Sequence, residues 1–132
     1  MTGLDTNVVV RYLVQDDAAQ SAIATRLFEK SLSQDDPGFV SAIVLCEIAW
    51  VLAESYGASG ERIAAAMEGL LAAKQIVVET PDVARKALRQ WKESGADFAD
   101  ALIGAIAHVH GAEKTVTFDR AAARLPGFEL LR

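Results

Sequence analysis

The sequence predicts an α/β fold with a central, mainly parallel sheet of four to five short strands and helices on both faces. Short apolar segments rich in β-branched residues, such as 75–79, alternate along the whole chain with longer segments of helical periodicity. Capping and breaking residues bound the helical segments, and three prolines (Pro37, Pro81 and Pro126) fall between them. Such alternation is typical of parallel sheets whose strands are connected by helices.

In the first half of the chain, the pattern predicts two strands and four helices. Residues 2–4 and 39–41 form the strands. The first helix begins at Asp5, and the second begins at Asp16 and Asp17, where acids suit the positive end of the helix dipole. The third helix is strongly apolar, spans residues 42 to about 56 and ends at Gly57. Ser59 caps the fourth helix, which runs to about residue 74.

In the second half, three further strands are predicted at 75–79, 115–118 and 128–130. A helix from about 80 to 93 starts with proline in its first turn, which is a favourable position for proline. Asp97 is the predicted cap of a helix that ends near Gly111, and 120–124 is predicted as a short helix. We find no linker, so residues 1–132 are expected to form a single domain.

Composition narrows the class of protein. The chain has 132 residues, of which 52% are hydrophobic, and its net charge of −5 argues against a non-specific nucleic-acid binder. The only cysteine, Cys46, lies in an apolar run. Its two interpretations are a redox or nucleophilic thiol and a buried small hydrophobic side chain, of which the second is expected. No signal peptide or membrane span is visible, so a cytoplasmic location is expected.

Four carboxylates are flanked by apolar residues, where an acid is costly to bury. They are Asp5, Glu47, Asp100 and Asp119. Only Asp119 has a basic neighbour, Arg120. Asp5 and Asp119 each follow a strand and Asp100 begins a helix, so the parallel sheet is expected to bring them to one edge. A hard divalent cation would neutralise such a cluster, which indicates metal-assisted phosphodiester chemistry.

Each acid also has a purely structural interpretation. Asp5, Asp97 and Asp119 all occupy positions suited to helix caps, and Asp97 with Asp100 resembles a capping box. Glu47 lies in mid-helix, where no capping role exists, and its alternative is an exposed position on the polar edge. Polar side chains next to the acids are accessory candidates, as metal-water ligands or as ordinary caps: Thr6, Asn7, Ser41 and Thr117.

Four ordered motifs resemble those of the PIN-domain family, and most closely its VapC-type toxin ribonucleases. The first is Leu4-Asp5-Thr6-Asn7-Val8. The second is Ser41 followed by Glu47 in an apolar helix. The third is Asp97-Phe98-Ala99-Asp100-Ala101-Leu102-Ile103, and the fourth is Thr117-Phe118-Asp119. The resemblance covers essentially the whole chain and implies a three-layer α/β/α PIN-like domain.

The resemblance implies an endoribonuclease that depends on Mg²⁺ or Mn²⁺ and uses a metal-activated water. Asp5, Glu47, Asp100 and Asp119 would be the catalytic and metal-binding acids, and Asp97 an accessory residue or a cap. It also implies a homodimer and a small antitoxin protein as partner, besides the RNA substrate. Arg120, Ala121 and Ala122 stand where many relatives carry a further acid, which counts against a second firmly held metal.

Four basic residues are candidates for contact with the RNA phosphates: Arg11, Lys114, Arg120 and Arg124. Two alternatives from other functional classes stay open on the sequence alone. One is a PIN-like module that binds RNA or protein with little catalysis. The other is a metal-dependent phosphohydrolase acting on a small phosphate ester, although such enzymes often carry an insertion that this chain lacks. The RNA target and the identity of the antitoxin are not encoded in any recognisable pattern.

Overall fold

Five strands and six helices alternate along the chain, and every strand pairing is parallel. The computed structural model describes all residues from Met1 to Arg132 and divides them into two compact units, Met1–Glu79 and Thr80–Arg132. The predicted α/β class is therefore confirmed, with the strands paired in one group of three and one group of two. None of the helices combines the length and hydrophobicity needed to cross a lipid bilayer.

The first unit is built on three parallel strands in the order β1-β2-β3. The strands are β1 (Thr2–Gly3), β2 (Gly38–Val40) and β3 (Ile76–Val78). The helices of this unit are α1 (Thr6–Val14), α2 (Ala18–Arg26), α3 (Ala42–Tyr56) and α4 (Gly60–Ala72). Because parallel strands end at a common edge, the residues that follow β1, β2 and β3 are brought near one another.

Helix α3 has the bounds that its terminal residues predict. The Ser41 hydroxyl accepts a hydrogen bond from the Val44 backbone N–H at 3.2 Å, which caps the first turn. Gly57 ends the helix in the left-handed region with φ of +60°, where a side chain would be strained. Leu45 and Ile48 are buried and anchor the helix in the core.

Helix α2 begins as predicted, but it does not continue as an α-helix to about residue 33, as the sequence pattern predicts. Asp17 caps it by accepting from the Gln20 N–H at 2.9 Å. The last turn widens into a π-helix, Leu27–Ser31, a form that is rare and confined to single turns. Phe28 in that turn is buried and stacks on Tyr12 with ring centroids 4.1 Å apart, so the wide turn packs against α1.

The second unit contains two parallel strands, β4 (Thr115–Thr117) and β5 (Phe128–Leu130). Its helices are α5 (Pro81–Glu93) and α6 (Phe98–Val109). The predicted short helix at 120–124 is reduced to a single 3₁₀ turn, Ala122–Arg124. The rings of Trp91 and Phe98 meet edge to face at 5.9 Å and join the two helices.

Gly104 in α6 is required by a close approach of the β5 strand. A Cβ at this position would lie 2.3 Å from Cε1 of Phe128, far inside van der Waals contact. The absent side chain therefore lets α6 pack tightly against the aromatic ring. This contact fixes the position of the helix that carries Asp97 and Asp100 within its unit.

Candidate active site

Asp5 occupies the N-cap of α1, as one of the two sequence interpretations predicts. Its backbone is extended (φ −78°, ψ 156°), and its Oδ1 accepts a hydrogen bond from the Thr6 N–H at 2.8 Å. Leu4 and Val9 are buried on either side and hold the turn in place, while the Asp5 side chain is exposed. A cap and a metal ligand are compatible, because a carboxylate has two oxygens and several lone pairs.

Thr6 links the first and second motifs. Its hydroxyl is buried and donates to Oε1 of Glu47 at 2.9 Å, across 41 residues of sequence. Glu47 is thus oriented by a hydrogen bond rather than by an ion pair. Within the first unit, Asp5, Thr6 and Glu47 form one connected group, since Asp5 caps the helix that starts at Thr6.

The apolar flanking residues suggest buried acids, but three of the four are not buried. Asp5, Glu47 and Asp119 are exposed, and only Asp100 is partly buried. The apolar residues that flank Glu47 in sequence do not surround it in space. Successive residues of a helix project about 100° apart, so Leu45 and Ile48 face the core while Glu47 faces outward.

Two further side chains organise the N-terminus of α3. Ser41 caps the helix, and the Glu79 Oε1 accepts from the Ala42 N–H at 2.8 Å. Glu79 was not among the predicted site residues, although an acid directly after a parallel strand, here β3, is a usable signal. Asn7, an accessory candidate, is exposed on α1 and borders an apolar groove of about 280 Å³ together with Ile23 and Leu27.

In the second unit, Asp97 and Asp100 lie at the start of α6. Asp97 stands at the N-cap position, but its side chain makes no capping hydrogen bond, so the predicted capping box does not form. Asp100 lies in the first helical turn. Burial raises the pKa of Asp100 above its ordinary value, and the negative charges of Asp97 and Asp119 raise it further.

Asp119 is held by the backbone around it. Its own N–H donates to the Thr117 hydroxyl at 3.0 Å, and its Oδ1 accepts from the N–H groups of Ala121 at 2.8 Å and Ala122 at 3.5 Å. The carboxylate therefore holds the turn that leads into the 3₁₀ helix, but it is not the N-cap predicted from the sequence, because the N-cap residue is Ala121. Both bonds use the same oxygen, so Oδ2 is not committed to this turn.

The four basic residues predicted to contact RNA phosphates differ in the hydrogen bonds and ion pairs that they already make within the protein. Arg11 is the most restrained, since it donates to Gln20 and Tyr56 and lies 3.6 Å from Asp16. Lys114 pairs with Glu129 at 3.0 Å in the second unit. Arg120 is exposed directly after Asp119, and Arg124 reaches the loop before α6, where its Nη1 lies 3.0 Å from the point a Gly95 Cβ would occupy.

Cys46 is partly buried, which agrees with a packing role. Burial raises the pKa of its thiol, and the neighbouring Glu47 raises it further. A raised pKa keeps the thiol protonated at neutral pH, and the thiol is a poor nucleophile in that form. Covalent catalysis by Cys46 is therefore disfavoured.

The donor chemistry of the acids suits a divalent cation. Carboxylate oxygens are the ligands that Mg²⁺ and Mn²⁺ prefer, and a cation would relieve the repulsion that raises the Asp100 pKa. No group of three or more His, Cys, Asp or Glu side chains is already arranged to hold a metal ion. Asp5 and Glu47 lie in the first unit, and Asp97, Asp100 and Asp119 lie in the second.

Comparison with known families identifies the chain at the level of its fold and general activity. The family model described as PIN domain matches residues 4–127, a range that contains all four sequence motifs. PIN domains are generally nucleases, and many act with divalent metals. No curated protein is similar enough to the chain to count as a match.

Proposed function

This chain belongs to the PIN-domain family, and from that premise we propose that it is a metal-dependent endoribonuclease. Asp5, Glu47, Asp100 and Asp119 are the proposed metal-binding and catalytic residues. The observation that carries the proposal is that the family match over residues 4–127 contains all four acids, two of which are held in place by hydrogen bonds: Glu47 by the Thr6 hydroxyl at 2.9 Å and Asp119 by the Ala121 N–H at 2.8 Å. Oriented carboxylate oxygens are the ligands that Mg²⁺ prefers in proteins.

The proposed residues have distinct roles. Asp5, Glu47, Asp100 and Asp119 would hold Mg²⁺ or Mn²⁺, which would act as a Lewis acid and lower the pKa of a water bound to it. Thr6 keeps the Glu47 carboxylate in one orientation through their 2.9 Å hydrogen bond. The backbone N–H groups after Asp119 hold its Oδ1, which leaves the other oxygen to act as a ligand. Glu47 or Asp100 accepts a hydrogen bond from the attacking water, and no covalent intermediate is required.

We also propose that the protein is the toxin of a toxin–antitoxin pair and forms a homodimer. The support is an apolar groove between α1 and α2 and the exposure of large apolar side chains in the same unit. Ile23 is 60% exposed and Trp50 is 65% exposed. A contiguous apolar groove is typical of a surface that a partner covers. Sedimentation or light scattering of the protein, alone and with a co-encoded small protein, tests this part separately.

The test of the nuclease proposal uses a matched pair of variants on α3. Glu47→Gln removes the charge but keeps the size, and Glu54→Gln makes the same change two turns later on the same face of the helix. We expect Mg²⁺-dependent cleavage of RNA by the wild type, abolished by EDTA. Glu47→Gln should reduce turnover by about 100-fold or more, in line with the loss of a catalytic group, whereas Glu54→Gln should not.

Circular dichroism of both variants controls for folding. Full activity of the wild type in EDTA would refute the metal-dependent mechanism, and equal activity of the two variants would remove Glu47 from the site. RNA binding without cleavage under all metal conditions would instead indicate the non-catalytic PIN-like module that the sequence left open.

A further inference from the structure

The Phe118 side chain is the most exposed large hydrophobic group in the protein. It is 81% exposed, and it stands between the end of β4 and the candidate ligand Asp119. Full burial of a phenylalanine ring stabilises a fold by about 1.5–3 kcal/mol, and Phe118 contributes almost none of this. The ring therefore adds little to stability, and it lies beside a carboxylate proposed for the active site.

The backbone on both sides of Phe118 is fixed by hydrogen bonds. The Thr117 carbonyl accepts from the Leu131 N–H at 2.7 Å, and the Thr117 hydroxyl accepts from the Asp119 N–H at 3.0 Å. Asp119 is in turn tied to the 3₁₀ turn through Ala121. The ring is consequently carried by an ordered segment and needs little further ordering to receive a ligand.

The surroundings of the ring favour a nucleobase over an apolar protein surface. Asp119 follows Phe118, and Arg120 comes next and is exposed. A protein covering the ring would also have to desolvate this carboxylate and guanidinium, which is costly without matched partners. A base that stacks on the ring leaves the carboxylate open to its cation, and the Arg120 guanidinium remains available to an adjacent phosphate.

The charge of the chain points in the same direction. With a net charge of −5, the protein gains less from phosphate attraction than a basic nucleic-acid binder does. Stacking on an aromatic ring does not depend on charge, and every base offers a flat face for it. A contact of this type gives an acidic protein a hold on RNA that salt weakens little.

We infer that Phe118 is a substrate-binding residue on which an unpaired RNA base, adjacent to the scissile phosphate, stacks. The inference rests on the proposed function, because Asp119 marks the place of the scissile phosphate. It adds that the substrate must be single-stranded at this nucleotide, since a paired base is stacked between its neighbours and cannot cover the ring. Specificity at this position is for an unpaired base of any identity.

The experiment combines a protein change with a substrate change. Phe118→Ala removes the ring, and Phe118→Trp retains an aromatic surface. As a control, Val109→Ala truncates another exposed apolar residue, at the C-terminal end of α6. Each full-length protein is assayed on a single-stranded RNA, and on the same RNA with an abasic nucleotide placed in turn on either side of the cleavage position.

On intact RNA, Phe118→Ala should raise KM by about 5- to 150-fold, the range seen when a stacking aromatic is lost, with kcat nearly unchanged. Phe118→Trp and Val109→Ala should stay within about twofold of the wild type, since one keeps the platform and the other lies elsewhere. On the RNA with the relevant abasic position, the wild type and Phe118→Ala should have similar KM values, because the stacked base is gone.

An unchanged KM for Phe118→Ala, or the same penalty on intact RNA and on both abasic RNAs, would overturn the inference. A shift of Phe118→Ala to a smaller mass in light scattering would assign the ring to a subunit interface and would also overturn it. If the wild type cleaves no RNA, the nuclease proposal fails on its own. In that case, the RNA affinities of the variants are measured by fluorescence anisotropy with labelled single-stranded RNA. The stacking inference requires that Phe118→Ala bind RNA more weakly than Val109→Ala does, and equal affinities would overturn it.

Discussion

Replacing Asp100 by asparagine should stabilise the metal-free protein. The substitution keeps the size of the side chain and removes a charge that is partly buried and repelled by Asp97 and Asp119. Like-charge pairs near a surface cost a few tenths of a kcal/mol to about 1 kcal/mol each after solvent screening. We therefore expect a gain of about 1 kcal/mol in the free energy of unfolding, or about 3–5 °C in Tm for a chain of this size.

The gain should depend on pH in a defined direction. The folded-state pKa of Asp100 is raised, so folding favours the protonated form of this group. Its contribution to stability is full below the unfolded-state pKa and is lost as the pH rises through the folded-state pKa. At low pH the wild type and Asp100→Asn should be equally stable, and the variant should become the more stable protein as the pH rises.

Thermal unfolding with and without Mg²⁺ or Mn²⁺ completes the test. A ligand that binds only the folded protein stabilises it by about 2.7 kcal/mol at a concentration 100 times its Kd, so the wild type should gain Tm on metal addition. Asp100→Asn should gain much less. Glu113→Gln, which removes an exposed charge from the same unit, serves as the control. A metal-free Asp100→Asn protein that is less stable than the wild type, or one with the wild-type response to metal, would refute the reasoning.

Three further substitutions test individual contacts. Thr6→Val should cost about 1–3 kcal/mol of stability and lower turnover, because it removes the hydroxyl that donates to Glu47. Denaturant unfolding measures the loss of stability, and an RNA cleavage assay measures the loss of turnover. Asp97→Ser should preserve helicity and most of the activity, because the Asp97 side chain makes no capping bond; loss of cleavage to the level of Asp100→Asn would reverse the assignment within the third motif. Gly104→Ala should destabilise by about 1–3 kcal/mol through overpacking, whereas Gly69→Ala, where the added Cβ meets open space, should stabilise by up to about 1 kcal/mol; equal Tm values for the two would contradict the close packing of α6.

Local signals were sufficient for most of the secondary structure. Ser41 and Gly57 bound α3 at the predicted residues, and Asp5 caps α1 as an acid after a strand should. The parallel pairing also followed from the alternation of elements, since parallel strands need helical connections. The misses are at short or irregular ends, such as the π turn Leu27–Ser31 and the reduced 3₁₀ turn Ala122–Arg124, where neighbouring packing outweighs propensity.

The chain by itself therefore determined the order of elements, their caps and the positions of the acids along the sequence, because these depend on residues a few places apart. Tertiary structure alone decided the surroundings of each acid. It exposed Glu47 while burying Ile48, joined Thr6 to Glu47 across 41 residues, and set Asp100 near the charge of Asp119. The exposure, hydrogen bonds and pKa of each acid depend on which helix faces and strand ends lie close together in space. The residues next to an acid in sequence do not determine these contacts.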